Sequence, residues 1–202
     1  MNHAALAIII AYLLGCFNTG YYLVRMMTGQ DIRTQTSGGT GSRNVGRLLG
    51  AKGFVLTLIG DAGKGMAAIW LGQYLALDHG PLLVVLLAVT AGHIWPAQLG
   101  FRGGKGFATL AGGLMLLAPS LLLAGFLLSL AFLLIVRRTT KAGLLALACS
   151  PVIMALERSR NGQPWLSPEL GIYCLLVVTV LYAHRSNIRK EFFNSNNNAP
   201  KE

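Results

Sequence analysis

The chain has 202 residues, 53% of them hydrophobic and only 12% charged, with a mean hydropathy of +0.56. Long uncharged stretches exclude an ordinary soluble domain and point to one polytopic membrane bundle, too short to carry a separate soluble module. The formal net charge of +10 would suggest nucleic acid in a soluble protein; here the positive-inside rule accounts for it, and no nucleic-acid partner is expected.

The first apolar segment, about 4–24, lacks a basic leader. It runs into Gly15, Cys16, Phe17 and Asn18 where a cleaved signal would carry a cleavage box, so it reads as a permanent span. Further apolar segments follow at about 54–77, 81–96, 107–118, 120–136, 142–156 and 168–183, seven in all. A full crossing needs roughly 20 residues, so the fourth, sixth and seventh must borrow flanking residues or enter part-way. Pro119 divides a run too long for one crossing, and a tight hairpin is predicted at Ala118-Pro119-Ser120. The expected fold is an all-α integral membrane protein with about seven transmembrane helices, a single domain over residues 1–191. The tail 192–202, containing NSNNNAPKE, is polar, low in complexity and expected to be disordered. Cys16, Cys149 and Cys174 all lie in apolar stretches; their spacing matches no metal site, and they read as small buried hydrophobes.

Five polar clusters punctuate these segments. In chain order, TSGGTGSRNVGRLLG (Thr36 to Gly50) combines Gly38, Gly39, Gly41, Gly46 and Gly50 with Ser37, Thr40, Ser42, Arg43, Asn44 and Arg47. Glycines let backbone N–H groups approach an anion, hydroxyls add donors, and Arg47 can grip a phosphate bidentately. The bland reading is a flexible basic loop. DAGKG (Asp61 to Gly65) puts two ionisable residues three apart on one face of the second span, as the lining of a polar cavity or as a self-compensating pair. HIWPAQLGFRGGKGFAT (His93 to Thr109) places Lys105 among Gly103, Gly104 and Gly106 just before an apolar helix, which is an anion-binding arrangement. It is not a Walker A loop, because Gly106 follows the lysine. His93 lies one turn before Pro96, where a structural hydrogen bond is the commoner role. RRTTKAG (Arg137 to Gly143), with Thr140, looks like a basic turn. HRSNIRKE (His184 to Glu191) sets His184 and Asn187 on one helix face, either to bind a small polar substrate or to cap a helix end.

Charge fixes the expected orientation. With the N-terminus outside, 14 of the 17 basic residues fall on the inner side, only Arg158 and Arg160 lie outside, and Lys64 lies within a span. The N-terminus is therefore expected outside and the C-terminus in the cytoplasm. Every Gly-rich or His/Asn cluster then falls on the inner face. The combination suits two anionic substrates, one of which needs access to lipid. The rival class, a transporter or binding protein for a phosphorylated solute, predicts polar residues spread through the midplane and inverted repeats, and no repeat is apparent.

These residues resemble the bacterial acyl-phosphate:glycerol-3-phosphate acyltransferase family over almost the whole chain. SGGTGSRNVGR (Ser37 to Arg47) is similar to the family's S-G-N-x-G-A-T-N-V-x-R, and GHIWPAQLGFRGGKGFAT (Gly92 to Thr109) to its G-H-x-F-P-x-F-L-x-F-K-G-G-K-G-V-A-T. HRSNIRK (His184 to Lys190) resembles H-R-x-N-I-x-R, and GDAGKG its D-x-x-K-G segment. Departures are Gly39 for Asn, Ser42-Arg43 for Ala-Thr, Gln98 for an aromatic residue, Thr140 and Gly143 at two serine positions, Lys190 for Arg, and no counterpart of a downstream Gly and Glu. They leave room for a catalytically weakened paralogue.

The resemblance implies a multi-pass enzyme of the bacterial cytoplasmic (inner) membrane with its site facing the cytoplasm, working as a monomer without metal or organic cofactor. It would transfer a fatty acyl group from acyl phosphate to the 1-hydroxyl of glycerol 3-phosphate, giving lysophosphatidic acid and phosphate. Acyl phosphate is already activated and needs no covalent serine intermediate, in keeping with the absence of a G-x-S-x-G elbow. Catalytic roles then fall to Ser37, Arg47, Lys105 and His184. Substrate binding falls to Gly38, Gly41, Asn44, His93, Gly103, Gly104, Gly106, Thr140 and Asn187. The general base is either His184 or a phosphate oxygen of the substrate.

Overall fold

A computed structural model describes residues 3–193, and every regular element among them is helical. The tail from 194 onward, with its expected disorder, lies outside the described residues. The chain divides into two compact units at Pro119–Ser120.

The first unit holds five α-helices. The first segment is not one helix: α1 (His3–Cys16) stops, and α2 (Thr19–Thr28) restarts after Asn18, whose backbone is extended. α3 (Ser42–Tyr74) begins twelve residues ahead of the expected second span and breaks once, at Gly50, with φ 68° and ψ −162°. That left-handed value suits glycine, so the short opening helix can turn away from the long apolar one. α4 (His79–Ile94) stops two residues before Pro96, and α5 (Phe107–Leu117) has 11 residues.

Small residues pack this unit. Ala7, Ala11 and Gly15 form an i, i+4, i+8 stripe of buried residues on α1. Gly15 lies against Val89 and Gly92 of α4, and a Cβ on Gly92 would strike the Tyr12 carbonyl. α3 and α5 cross in the same way: a Cβ on Gly65 would meet the Thr109 carbonyl, and one on Gly112 the Ala62 carbonyl. Close backbone approach through small residues is the packing mode open to helices in lipid, where burial of apolar surface gives no drive.

The second unit opens with α6 (Pro119–Val136), which starts at the proline of the expected hairpin. Only Leu121 of it is buried, while Leu134 is 82% and Ile135 76% exposed. A helix apolar on every side and this exposed is stable only in hydrocarbon. α7 (Thr139–Arg160) carries Pro151 inside it. Proline has no N–H for the carbonyl four residues back, and the Ser150 hydroxyl donates to that Leu147 carbonyl instead, at 2.7 Å. Ser150 also accepts from the buried Tyr173 hydroxyl, at 2.9 Å, tying α7 to α8 (Pro168–Ala183). Beyond a 63° bend, α9 (Arg185–Ile188) and a further helical turn, Arg189–Phe193, complete the unit. Phe192 and Phe193 are thus helical rather than part of the tail, with the Lys141 ammonium 4.7 Å above the Phe192 ring.

Among the described residues, five helical stretches are long and apolar enough to cross a membrane, with α1 and α2 together (His3–Thr28) counting as one, and a sixth if the bent pair at the C-terminal end counts as one. α5 is shorter. Cys16 is buried, whereas Cys149 and Cys174 are half-buried and all three are free thiols.

Candidate active site

In the first unit the Gly-rich loop before α3 is an ordered structure. Asp31 accepts from the Arg33 N–H at 2.9 Å, capping a 3-10 turn at Ile32–Thr34. Its carboxylate holds the Arg33 guanidinium through Nε and Nη2, the latter at 2.6 Å, and that contact keeps the Asp31 pKa below its ordinary value. Arg33 Nη1 donates to the Leu99 carbonyl at 2.6 Å, pinning this loop to the turn after α4. Ile32 is buried with Val24 and Val45 beneath it.

Asn44, expected to touch substrate, is instead spent on the loop itself. Its buried amide nitrogen faces the carbonyls of Gly39 (2.9 Å), Gln35 (3.2 Å) and Ile32 (3.4 Å), and its oxygen accepts from the Ser37 N–H at 3.4 Å. The buried Thr40 hydroxyl donates to Asn18 at 2.6 Å, so the loop is also anchored to the break between α1 and α2. This scaffold leaves Ser37 and Gly38 exposed at the loop's crest and Gly41 half-buried. The Gly38 N–H is taken by the Gln35 carbonyl, 2.9 Å away.

The loop between α4 and α5 differs from expectation in a similar way. The N–H groups of Gly103 and Gly104 do not offer themselves to an anion: they donate to the carbonyls of Ile94 (3.1 Å) and His93 (3.0 Å) at the end of α4. Gly106, in the left-handed region at φ 83°, then starts α5. An anion at this loop would meet the Lys105 side chain and the first turn of that helix. Lys105 is half-buried, and its pKa is lowered from the ordinary lysine value, first by burial and then by the cations of Arg43 and Arg47. Those two arginines project from the first turns of α3. The unit therefore brings two arginine cations near Lys105, three positive charges in all at the starts of α3 and α5, an arrangement whose complement is an anion such as phosphate.

Beneath the glycine loop lies a buried polar cluster formed by His93 with Asp61 and Lys64, the two residues that sequence reasoning noted but left out of the site. Lys64 Nζ is 3.1 Å from Asp61 Oδ1 and donates to His93 Nδ1 at 2.7 Å, to the Phe17 carbonyl at 2.8 Å and to the Gly15 carbonyl at 3.1 Å. Gln98 donates to the Cys16 carbonyl at 2.6 Å. The carbonyls orphaned where α1 stops are thus satisfied by side chains from elsewhere in the unit. His93 is 3% exposed and is placed as a hydrogen-bonded structural group, not at a surface. Of the two readings of Asp61 and Lys64, the compensated pair is the one observed.

In the second unit His184 ends α8. Its Nδ1 lies 2.9 Å from the Val180 carbonyl, which can only accept, so the ring proton of the neutral form sits on Nδ1 and the basic lone pair on Nε2. Asn187 follows one turn later and is half-buried. Thr140 stands in the first turn of α7, between Arg138, which is 3.4 Å from Glu191, and Lys141 over Phe192. Glu191, the last residue of the HRSNIRKE cluster, thus supplies a carboxylate to Arg138 in the C-terminal turn. An apolar groove of about 590 Å³ runs past the bend, lined by Val178, Leu181, Tyr182, Ile188 and Phe193 with Arg185 and Arg189. Among the described residues no cluster of His, Cys, Asp or Glu has metal-site geometry.

The chain is similar to known proteins throughout. A family profile described as glycerol-3-phosphate acyltransferase matches residues 5–193. Glycerol-3-phosphate acyltransferase 1 of Desulfitobacterium hafniense is 44% identical over 180 residues, covering 89% of this chain and 86% of that protein. The glycerol-3-phosphate acyltransferase of Syntrophomonas wolfei is 40% identical over 190 residues, covering 93% and 92%. Among solved structures, PlsY (YgiH), an integral membrane glycerol 3-phosphate acyltransferase, superposes in its glycerol 3-phosphate form with a TM-score of 0.79 at 32% identity, covering 93% of this chain and 90% of that one.

Proposed function

Because the chain belongs to the glycerol-3-phosphate acyltransferase family, we propose that it transfers a fatty acyl group from acyl phosphate to the 1-hydroxyl of glycerol 3-phosphate, releasing lysophosphatidic acid and phosphate. It is a membrane acyltransferase, and family membership favours the enzyme over the transporter reading. The observation that carries the mechanism is the trio of Arg43, Arg47 and Lys105 at the start of α3 and α5.

Both substrates are phosphate anions, and the donor is a mixed anhydride that breaks to release a second phosphate. Lys105, with Arg47 and the exposed Ser37 hydroxyl, stabilises charge on the departing phosphate, while the first turn of α5 adds its N–H groups and dipole. Gly38, Gly41, Gly103, Gly104 and Gly106 serve by shaping the two loops, with Asn44 and His93 as their internal ties. His184 and Asn187 bind glycerol 3-phosphate. With its proton on Nδ1, His184 offers Nε2 as the base for the 1-hydroxyl, and a substrate phosphate oxygen is the alternative acceptor. Thr140 adds a hydroxyl to the phosphate contacts. The acyl chain stays on apolar helix surface, which explains why a phosphate-handling loop sits at a membrane edge.

The finer topology belongs to the same reading: seven crossings, N-terminus outside, C-terminus and site at the cytoplasmic face of the bacterial inner membrane, residues 1–191 acting as one monomeric acyltransferase domain with no cofactor. The short α5 needs flanking residues to complete its crossing. Donor competition tests the proposal. With glycerol 3-phosphate as acceptor, palmitoyl phosphate should support turnover, whereas palmitoyl-CoA and palmitoyl-acyl carrier protein should not. Equal or faster turnover with either thioester would overturn the acyl-phosphate assignment.

A further inference from the structure

The Asp61–Lys64 pair is more than helix packing requires. The crossings of α1 with α4 and of α3 with α5 are already closed by small residues at backbone contact distance. Taking two charges out of water costs several kcal/mol per ion, and an apolar pair of similar volume often does as well. The ammonium is also fully committed: two of its protons go to the Gly15 and Phe17 carbonyls, and the third goes to His93 Nδ1.

That third bond has a consequence for the glycine loop. An imidazole that accepts at Nδ1 carries its proton on Nε2. His93 Nε2 faces Gly104 so closely that a Cβ there would collide with it. The backbone of the same histidine accepts the Gly104 N–H at 3.0 Å. Gly104 is therefore held from two sides by one residue, and Lys105 is the next in the chain. The line of contact runs from Asp61 through Lys64 and His93 to the loop that carries the cation.

We propose that Lys64 is a positioning residue for acyl transfer: its hydrogen bond to His93 fixes that ring against Gly104 and so sets the pose of Lys105. The proposal rests on Lys105 acting on the departing phosphate.

A double-mutant cycle tests it, with kcat measured for purified protein in lipid and folding checked by thermal unfolding. The charge-neutral variant Asp61→Asn/Lys64→Met removes the donor to His93 without stranding a buried charge. It should lower kcat about tenfold or more in the wild-type background, but less than about twofold when Lys105 is already alanine, because contacting residues couple and independent ones add. Should that variant fail to fold, His93→Gln leaves the ion pair intact and is expected to show the same coupling to Lys105→Ala. Wild-type turnover, or an equal fold-loss in both backgrounds, would overturn the positioning role alone. Lys105→Ala with wild-type turnover would overturn the catalytic reading and this proposal together.

Discussion

Asn44→Asp changes one NH2 group for an oxygen and leaves shape, volume and the acceptor for the Ser37 N–H in place. The lost nitrogen serves the Gly39 carbonyl at 2.9 Å and the Gln35 carbonyl at 3.2 Å, with a longer contact to Ile32 at 3.4 Å. Two ordinary hydrogen bonds at about 1 kcal/mol each, plus repulsion between a carboxylate oxygen and carbonyls that now lack a donor, take about 2–3 kcal/mol from the ordered loop. At about 1.4 kcal/mol per factor of ten, the ordered form loses about 30- to 150-fold against open forms. Turnover should fall by up to that factor, and limited proteolysis between Gly29 and Gly41 should accelerate, while α3 itself stays folded. The assay is labelled glycerol 3-phosphate incorporation alongside a protease time course. Wild-type turnover with unchanged cleavage in Asn44→Asp would refute the reasoning that this side chain builds the loop.

Three further outcomes follow from the same geometry. Burial, and then the Arg43 and Arg47 cations, lower the Lys105 pKa; a reaction that needs the ammonium holds below that pKa and declines as pH rises through it. Arg43→Gln removes one neighbouring cation, raises the Lys105 pKa, and should move the alkaline limb of the kcat/KM profile to higher pH. Gly92→Val drives a side chain into the Tyr12 carbonyl; with backbone on the other side there is little to yield, and thermal unfolding should show a loss of at least about 3 kcal/mol or no folded protein. Tyr173→Phe removes a buried 2.9 Å bond to Ser150 and should cost about 1 kcal/mol, lowering Tm by about 2–4 °C with turnover unchanged.

Much of the helix pattern is legible in the sequence because hydropathy reports lipid exposure directly: α6 and α8 occupy the expected segments, and the helix break before Pro119 divides the long apolar run into α5 and α6 as anticipated. The breaks are not legible. The helix breaks at Asn18 within a largely apolar segment, where Thr40 bonds Asn18 from 22 residues away and Lys64 bonds the Phe17 carbonyl from 47 residues away, and no local pattern records that. The glycine motifs mark the right loops but mislead about their atoms. A Gly-Gly-Lys-Gly run suggests four open N–H groups, yet two are consumed by the end of α4. Asn44 reads as a polar group in a phosphate motif, and only its carbonyl partners reveal a scaffold. The available signal for the buried cluster was the cost of Asp61 and Lys64 inside a span; their partner His93, 29 residues beyond Lys64, appears only when α3 and α4 are packed.

The most direct test of the account is product formation. Purified protein in lipid, given palmitoyl phosphate and radiolabelled glycerol 3-phosphate, should yield labelled lysophosphatidic acid, and Lys105→Ala should reduce the rate by at least about a hundredfold. Absence of product from folded protein, while an active relative works in parallel, would contradict the assigned reaction; product formed equally well by Lys105→Ala would contradict the cationic site.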